Sequence, residues 1–183
     1  MNGVPIASVL PVAIPASTAD RLAELFDSHH DRLYRLARRL SSNADEARDL
    51  VQETFLNAAR SAASIPAGVQ PEEAWLVRIL VNIRRDQWRK ASVRMRYNED
   101  ARRSTAVSTC GESALIAHAD VWAVLDTLPP RRRAVIVMHE LEGMSVKDIA
   151  AMLHISAITV RWHLSRGRRD LARILKPQIG ERA

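Results

Sequence analysis

Residues 145–175 read SVKDIAAMLHISAITVRWHLSRGRRDLARIL, and this stretch decides the fold of the second half of the chain. Ser145 can cap a short helix. A turn of three residues from His154 to Ser156 precedes a longer helix, which Ser156 can cap. Apolar residues recur at three- and four-residue spacing along both helices. Small Ala150 lies where the two helices would cross closely. The pattern predicts a helix-turn-helix.

The face of the longer helix opposite its apolar side carries short polar and basic side chains. Its members are Thr159, Arg161, Trp162, Ser165, Arg166 and Arg169. A second helix of this kind can enter the major groove of DNA, where arginine binds guanine O6 and N7. The residues therefore predict a DNA-binding surface. A helical hairpin with a solvated basic face is the alternative.

Upstream of this stretch the apolar residues again follow helical spacing, and no segment shows the alternation of a strand. The periodicity predicts helices over about 22–40, 47–59, 72–90, 115–125 and 130–141. Gly143 suits a left-handed C-terminal cap. The expected fold class is all-α, with two small helical domains joined by a flexible linker. The predicted divisions are a disordered N-terminal extension at 1–19, a helical domain at 20–91, a linker at 92–113, a helix-turn-helix domain at 114–177 and a tail at 178–183.

Charge is distributed unevenly along the chain, whose net charge is +6 over 183 residues. Residues 20–73 hold 7 basic and 10 acidic residues, residues 74–103 hold 9 and 3, and residues 131–183 hold 11 and 5. Such a chain can present an anionic surface to one partner and cationic surfaces to phosphates.

Its single cysteine excludes a disulfide scaffold, and no apolar run is long enough to span a bilayer. We expect a cytoplasmic protein.

The third predicted helix interleaves cations with an aromatic ring. Arg78, Asn82, Arg85 and Arg89 follow one another at spacings of four, three and four residues, and Trp88 lies beside them. Guanidinium groups can hold a nucleic-acid backbone while an indole stacks on an unpaired base. The helix is therefore a candidate site for single-stranded or opened DNA. Trp88 as a half-buried core residue is the alternative.

No set of residues points to catalysis. The segment His139–Gly143 begins like a zincin motif but lacks the second histidine, and no phosphate-binding glycine loop or nucleophile elbow is present. We therefore predict no enzyme activity, catalytic residue, metal, cofactor or small-molecule substrate.

The order of several segments resembles the extracytoplasmic-function, or group 4, sigma factors of bacterial RNA polymerase. The segments are DLVQETF at 49–55, AWLVRI at 74–79 with Asn82 and Asp86, LDTLPP at 125–130, EGMS at 142–145, TVR at 159–161 and LSRGRR at 164–169. The resemblance covers about residues 22–175. It implies a transcription initiation factor with sigma region 2 near 22–91 and region 4 near 115–176.

The resemblance also assigns partners and residues. Asp49, Gln52 and Glu53 would contact the clamp helices of the largest subunit of core RNA polymerase. The minus-ten promoter element would be opened and read by Arg78, Asn82, Arg85, Trp88 and Arg89. The minus-thirty-five element would be read by Arg161, Trp162, Ser165 and Arg166, with Thr159 near the phosphates and Ser156 and Arg169 completing that surface. An inhibitory anti-sigma partner is expected from the family alone.

Three residues depart from the family pattern. Trp162 stands where a small polar residue is usual, Gly167 replaces a common alanine, and His154 replaces a common glycine. The rival interpretation is a stand-alone helix-turn-helix regulator that dimerises through its N-terminal helices. It would bind an operator tightly without polymerase, whereas a sigma factor would need the polymerase.

Overall fold

The structure is a computed structural model that describes residues 16–101 and 124–180, and all regular elements in these ranges are helical. The helices are α1 (Ala16–Leu40), α2 (Ala44–Arg60), α3 (Val69–Ala101), α4 (Pro130–Ile136), α5 (Val146–Leu153) and α6 (Ala157–Gly180). A 3-10 turn at Ala62–Ser64 follows α2, and a π turn at Val137–Leu141 follows α4. The all-α prediction is confirmed. We call α1–α3 the first unit and α4–α6 the second unit.

The first unit buries the apolar stripes of its three helices against one another. Leu33, Leu36 and Leu40 of α1 and Leu76 and Leu80 of α3 are at most 1% exposed. Helix α2 begins at Ala44 because the Asn43 side chain accepts a hydrogen bond of 2.8 Å from the Glu46 amide. The cap fixes the direction in which α2 leaves α1.

A buried carboxylate fixes the start of α3. Glu72 is 5% exposed and accepts hydrogen bonds from Arg21, from His29 Nε2 at 3.1 Å and from the Gly68 amide at 3.2 Å. Burial raises the pKa of the Glu72 carboxyl, but the hydrogen bonds from His29 and Arg21 outweigh it and leave the pKa lowered. The fold therefore favours the ionised carboxylate and ties α1 to the first turn of α3.

This lowered pKa predicts a loss of stability in acid. A glutamate in the unfolded chain titrates near 4.3, so the stabilisation from Glu72 is complete above about pH 5 and is lost as pH falls through the lower pKa of the folded protein. Replacing Glu72 with Gln should lower the melting temperature at pH 7 and flatten its decline below pH 5. Calorimetric scans from pH 7 to pH 3 would test this. Glu24→Gln, at an exposed partner of Arg21, is the matched control, and an unchanged pH profile in E72Q would contradict the assignment.

The second unit contains the predicted helix-turn-helix. Pro130 begins α4, and the Ser145 hydroxyl accepts a bond of 3.2 Å from the Asp148 amide at the start of α5. His154 ends α5 with a left-handed φ of 54°, the conformation for which glycine is usual. Gly143 has a φ of 67°, as its predicted capping role requires.

Gly167 is where α4 and α6 approach most closely. A β-carbon at this position would lie 2.8 Å from Ile136 Cγ1, and Ile136 is itself buried. The close approach accounts for glycine where the family commonly has alanine, in spite of its low helix propensity.

The two units pack against each other and share one hydrophobic core, in which α3 contacts both α4 and α5. Arg133 of α4 is 3% exposed, pairs with Asp126 and donates a hydrogen bond of 2.8 Å to the Arg39 carbonyl at the end of α1. Glu142 accepts from Arg32 at 2.6 Å and from Arg39 at 2.7 Å. We call Arg32, Arg39 and Glu142 the Glu142 cluster. Buried and half-buried arginines therefore join the units.

The observed helix ends differ from several predicted boundaries. Helix α3 continues to Ala101, ten residues into the predicted linker, where arginine, methionine, glutamate and alanine have good helix propensity. Helix α1 begins at Ala16, inside the predicted extension, and α6 continues to Gly180, inside the predicted tail. The fifth predicted helix changes to a π turn at Val137. Four predicted segments lie wholly or partly outside the described residues: the rest of the extension, the rest of the linker, the end of the tail and most of the helix predicted at 115–125.

Within the described ranges no helix is both long and apolar enough to cross a membrane.

Candidate nucleic-acid interfaces

Helix α2 carries an acidic surface on its exposed side. Asp49, Gln52 and Glu53 are all exposed, whereas Leu50 and Val51 between them are at most 3% exposed. The carboxylate of Glu53 accepts a hydrogen bond of 3.0 Å from Gln87 of α3. The packing of α2 thus displays two carboxylates and an amide on the exposed side of a packed helix.

An apolar groove between α1 and α2 adjoins this surface. Its volume is about 510 Å³, and Gln52 lies on its wall. The lining also includes Phe26, His30, Tyr34, Arg48, Val51, Phe55 and Leu56. Phe26 is 43% exposed and Leu56 is 49% exposed. This groove could not be predicted from the sequence, because Phe26 and Phe55 fall on stripes with the spacing of core residues.

The basic face of α3 is partly engaged by neighbouring residues. Arg78 is half-buried and donates to the Met152 carbonyl at 3.4 Å, and exposed Asn82 accepts from Arg131 at 3.5 Å. Arg85 and Arg89 each lie 3.4–3.5 Å from Asp86. The predicted minus-ten residues therefore form a row in which the second unit covers one end.

Trp88 lies near the other end of the row. It is 38% exposed, so its ring is available for stacking. The interpretation of Trp88 as a base-stacking residue stays a prediction, as does its alternative as a half-buried core residue.

A polar cavity of about 440 Å³ opens beside this row, between the end of α2 and α3. Its lining consists of Asn57, Ser61, Ser64, Trp75, Ile79, Asn82, Ile83 and Asp86. Among the predicted residues only Asn82 contributes to it. The sequence did not reveal the other lining residues, because they come from three elements and share no motif.

The recognition surface of α6 follows its predicted pattern. The Ser156 hydroxyl accepts from the Thr159 amide at 3.0 Å and caps the helix. Thr159 is half-buried, and the remaining predicted polar residues are exposed. These are Arg161, Ser165, Arg166 and Arg169. The Arg169 guanidinium folds back to the Ser165 carbonyl at 3.3 Å.

Trp162 is held in place on the same surface. Its ring is 54% exposed, and the Arg132 guanidinium lies 5.6 Å from the ring centroid. Arg132 is fixed in turn by Asp170 at 2.5 Å. Burial, followed by the charges of Arg132 and Arg131, lowers the pKa of His163 beside the indole, so the imidazole is neutral at pH 7.

Ile158, one turn before Trp162, is 75% exposed. Ile158 is not among the predicted DNA-binding positions. An apolar residue at helical spacing is usually buried, so the sequence could not show that this side chain is exposed.

No group of three or more potential metal ligands lies together in the part of the chain that the structure describes. The described surfaces instead offer carboxylates on α2 and cations on α3 and α6. A capped helix-turn-helix attached to a second helical unit with an anionic helix defines a DNA-binding adaptor.

Comparison with known proteins identifies the family. The model of Sigma-70 region 2 matches residues 25–94, and that of Sigma-70 region 4 matches residues 118–171. The ECF RNA polymerase sigma factor SigE of Mycolicibacterium smegmatis is 39% identical over 183 aligned residues, covering 93% of this chain and 70% of the relative. SigM of Mycobacterium tuberculosis is 35% identical over 158 residues, covering 85% of this chain and 79% of that protein. The chain belongs to the ECF sigma factors of the sigma-70 family.

A solved structure agrees with this assignment. The sigma factor RpoE of Bartonella quintana, in complex with the anti-sigma factor NepR, superposes with a TM-score of 0.59 and is 31% identical. The match covers 86% of this chain and 97% of RpoE. As an alternative sigma factor, the protein recognises promoters and initiates transcription, which decides against the stand-alone regulator.

Proposed function

We propose that this sigma factor binds RNA polymerase and promoter DNA through three separate surfaces, which lie on α2, α3 and α6. The observation that carries the proposal is the opposite charge of two exposed helix faces: carboxylates of Asp49 and Glu53 on α2, and guanidinium groups of Arg161 and Arg166 on α6. The chain supplies no catalytic group in this scheme. The polymerase provides the chemistry, and the site of action is the cytoplasm.

The α2 surface is the proposed contact with core RNA polymerase. Asp49, Gln52 and Glu53 would meet basic residues on the clamp helices of the largest subunit. Buried Leu50 and Val51 hold the helix rigid beneath them. A preformed charged surface costs little conformational entropy on binding and accelerates encounter with a cationic partner.

The α3 surface and its cavity are the proposed minus-ten site. The cavity of about 440 Å³ is large enough for an unstacked base, and its polar lining offers donors and acceptors for the edge of that base. Arg85 and Arg89 would hold the backbone while Trp88 stacks on a neighbouring base. Promoter opening would then be stabilised by capture of the separated strand.

The α6 surface is the proposed minus-thirty-five site. Arg161 lies near the start of this helix, and Arg166 and Arg169 lie further along it. Ser156 caps its N-terminus, whose positive dipole end attracts phosphates. Because the relative from B. quintana was solved with an anti-sigma factor, we also propose that an anti-sigma protein binds this chain.

Replacing Trp88 with alanine tests the minus-ten assignment. We expect open-complex formation to slow about tenfold, since stacking of one base contributes about 1–3 kcal/mol. The probe is a promoter selected from random duplexes by the reconstituted holoenzyme, with 2-aminopurine reporting strand opening. Val93→Ala, at a similarly exposed apolar residue of α3, is the control.

A promoter with a mismatched, already open minus-ten segment distinguishes a defect in strand opening from a defect in protein folding. At a saturating concentration of holoenzyme, W88A should initiate on it at nearly the rate of the native protein, because that DNA has no base pairs left to break. Equal opening rates for W88A and the native protein on the duplex would exclude Trp88 from the site.

A further inference from the structure

Two large apolar side chains stand exposed on the recognition helix. Ile158 is 75% exposed and Trp162 is 54% exposed. They are four residues apart, so they lie on one face of α6, about 6 Å apart along its axis. Apolar groups this exposed on a folded domain indicate contact with another molecule when they occur together.

Their surroundings indicate a nucleic acid as that molecule. The exposed cations Arg161, Arg166 and Arg169 lie on the same side of α6, within about three turns of Ile158. Ser156 caps the helix immediately before the pair, so the positive end of the helix dipole adds to these charges. A protein partner would need carboxylates to match every one of these cations, whereas DNA supplies phosphates on both sides of its major groove.

The indole is also fixed before any partner binds. Arg132 lies over its ring at 5.6 Å, and the bond of 2.5 Å from Arg132 to Asp170 holds the guanidinium there. The ring therefore presents a defined apolar surface beside the arginines and loses little rotamer freedom on binding.

The major groove displays one apolar group, the 5-methyl of thymine. We propose that Ile158 and Trp162 read thymine methyl groups in the minus-thirty-five element, an inference that rests on the proposed placement of α6 in that groove. A separation of about 6 Å along the helix corresponds to less than two base-pair steps of about 3.4 Å. The pair would thus recognise methyl groups on adjacent or next-adjacent base pairs, while the arginines read guanine or hold phosphates.

The test starts with the full chain bound to core polymerase and a duplex library randomised around the minus-thirty-five position. Selected duplexes should be enriched in thymine on either strand at two nearby positions. Each selected thymine is then replaced by deoxyuridine, which removes only the methyl group. Binding by the native protein should weaken about fourfold for each methyl lost, from the transfer free energy of one buried carbon.

Ile158→Ala and Trp162→Ala should bind thymine and deoxyuridine duplexes with equal affinity at the position that each residue reads. Both residues are exposed, and Ile158 takes no part in the contacts that join Arg132 to the indole and to Asp170. Leu141→Ala, 49% exposed and away from α6, should keep the fourfold preference of the native protein.

Two outcomes would overturn the inference. The first is equal binding of thymine and deoxyuridine duplexes by the native protein. The second is weaker polymerase or anti-sigma binding by I158A and W162A while their thymine preference remains, which would make the pair a protein-binding surface. Arg166→Ala distinguishes a failure of the thymine inference from a failure of the proposed minus-thirty-five site. If R166A binds every duplex as tightly as the native protein, α6 is not at the minus-thirty-five element.

Discussion

Replacing both Asp49 and Glu53 with arginine is expected to weaken binding to core RNA polymerase by about 100-fold or more. The substitution places cations where the proposed clamp surface is itself cationic, and like charges facing each other cost several kcal/mol. Neither side chain is buried, so the helices should form as in the native protein. Titration of labelled protein with purified core enzyme measures the loss, and circular dichroism checks the fold.

The control for this prediction carries the same change in charge at another place. Asp20 and Glu24 are exposed residues of α1, away from the α2 surface. Their double replacement by arginine should change polymerase affinity by less than about threefold, the scale of a screened surface charge. Undiminished binding by the Asp49 and Glu53 variant would remove the acidic surface from the interface.

Replacing Glu142 with alanine should destabilise the packing of the two units by about 2–4 kcal/mol. Its side chain is 7% exposed and accepts charged hydrogen bonds from Arg32 and Arg39, both of the first unit. Their loss removes two charge-assisted bonds and leaves two half-buried cations without this partner. Urea unfolding should show the lower stability, and small-angle scattering should show a larger radius of gyration.

Glu140→Ala is the matched control for Glu142→Ala. Glu140 pairs with Arg168 at 2.7 Å, but both residues are exposed and both belong to the second unit. Such a surface pair contributes at most about 1 kcal/mol, so neither the stability nor the radius of gyration should change appreciably. Equal effects of E140A and E142A would show that the Glu142 cluster does not join the units.

The features that the sequence could predict depend on local patterns. The helix-turn-helix follows from the Ser145 and Ser156 caps and the apolar spacing between them, and both caps form as expected. The exposure of Asp49, Gln52 and Glu53 also follows, because buried Leu50 and Val51 occupy the opposite face of α2. Local propensity and periodicity agree at these positions.

Contacts between distant residues could not be predicted. Glu142 belongs to a motif of the second unit, yet its partner Arg32 is separated from it by 110 positions, and one sequence contains no signal for that pairing. The same holds for the contact between Arg78 and Met152. The exposure of Ile158 could not be predicted either. An apolar residue at helical spacing is predicted to be buried, whether or not the fold covers it.

In vitro transcription with purified core RNA polymerase shows whether this chain acts only together with the polymerase. We expect the full chain to bind the core enzyme stoichiometrically and to start transcripts from a selected promoter, while it binds the same duplex weakly alone. The contradicting result is tight, polymerase-independent binding of that duplex together with no recruitment and no transcript when polymerase is added.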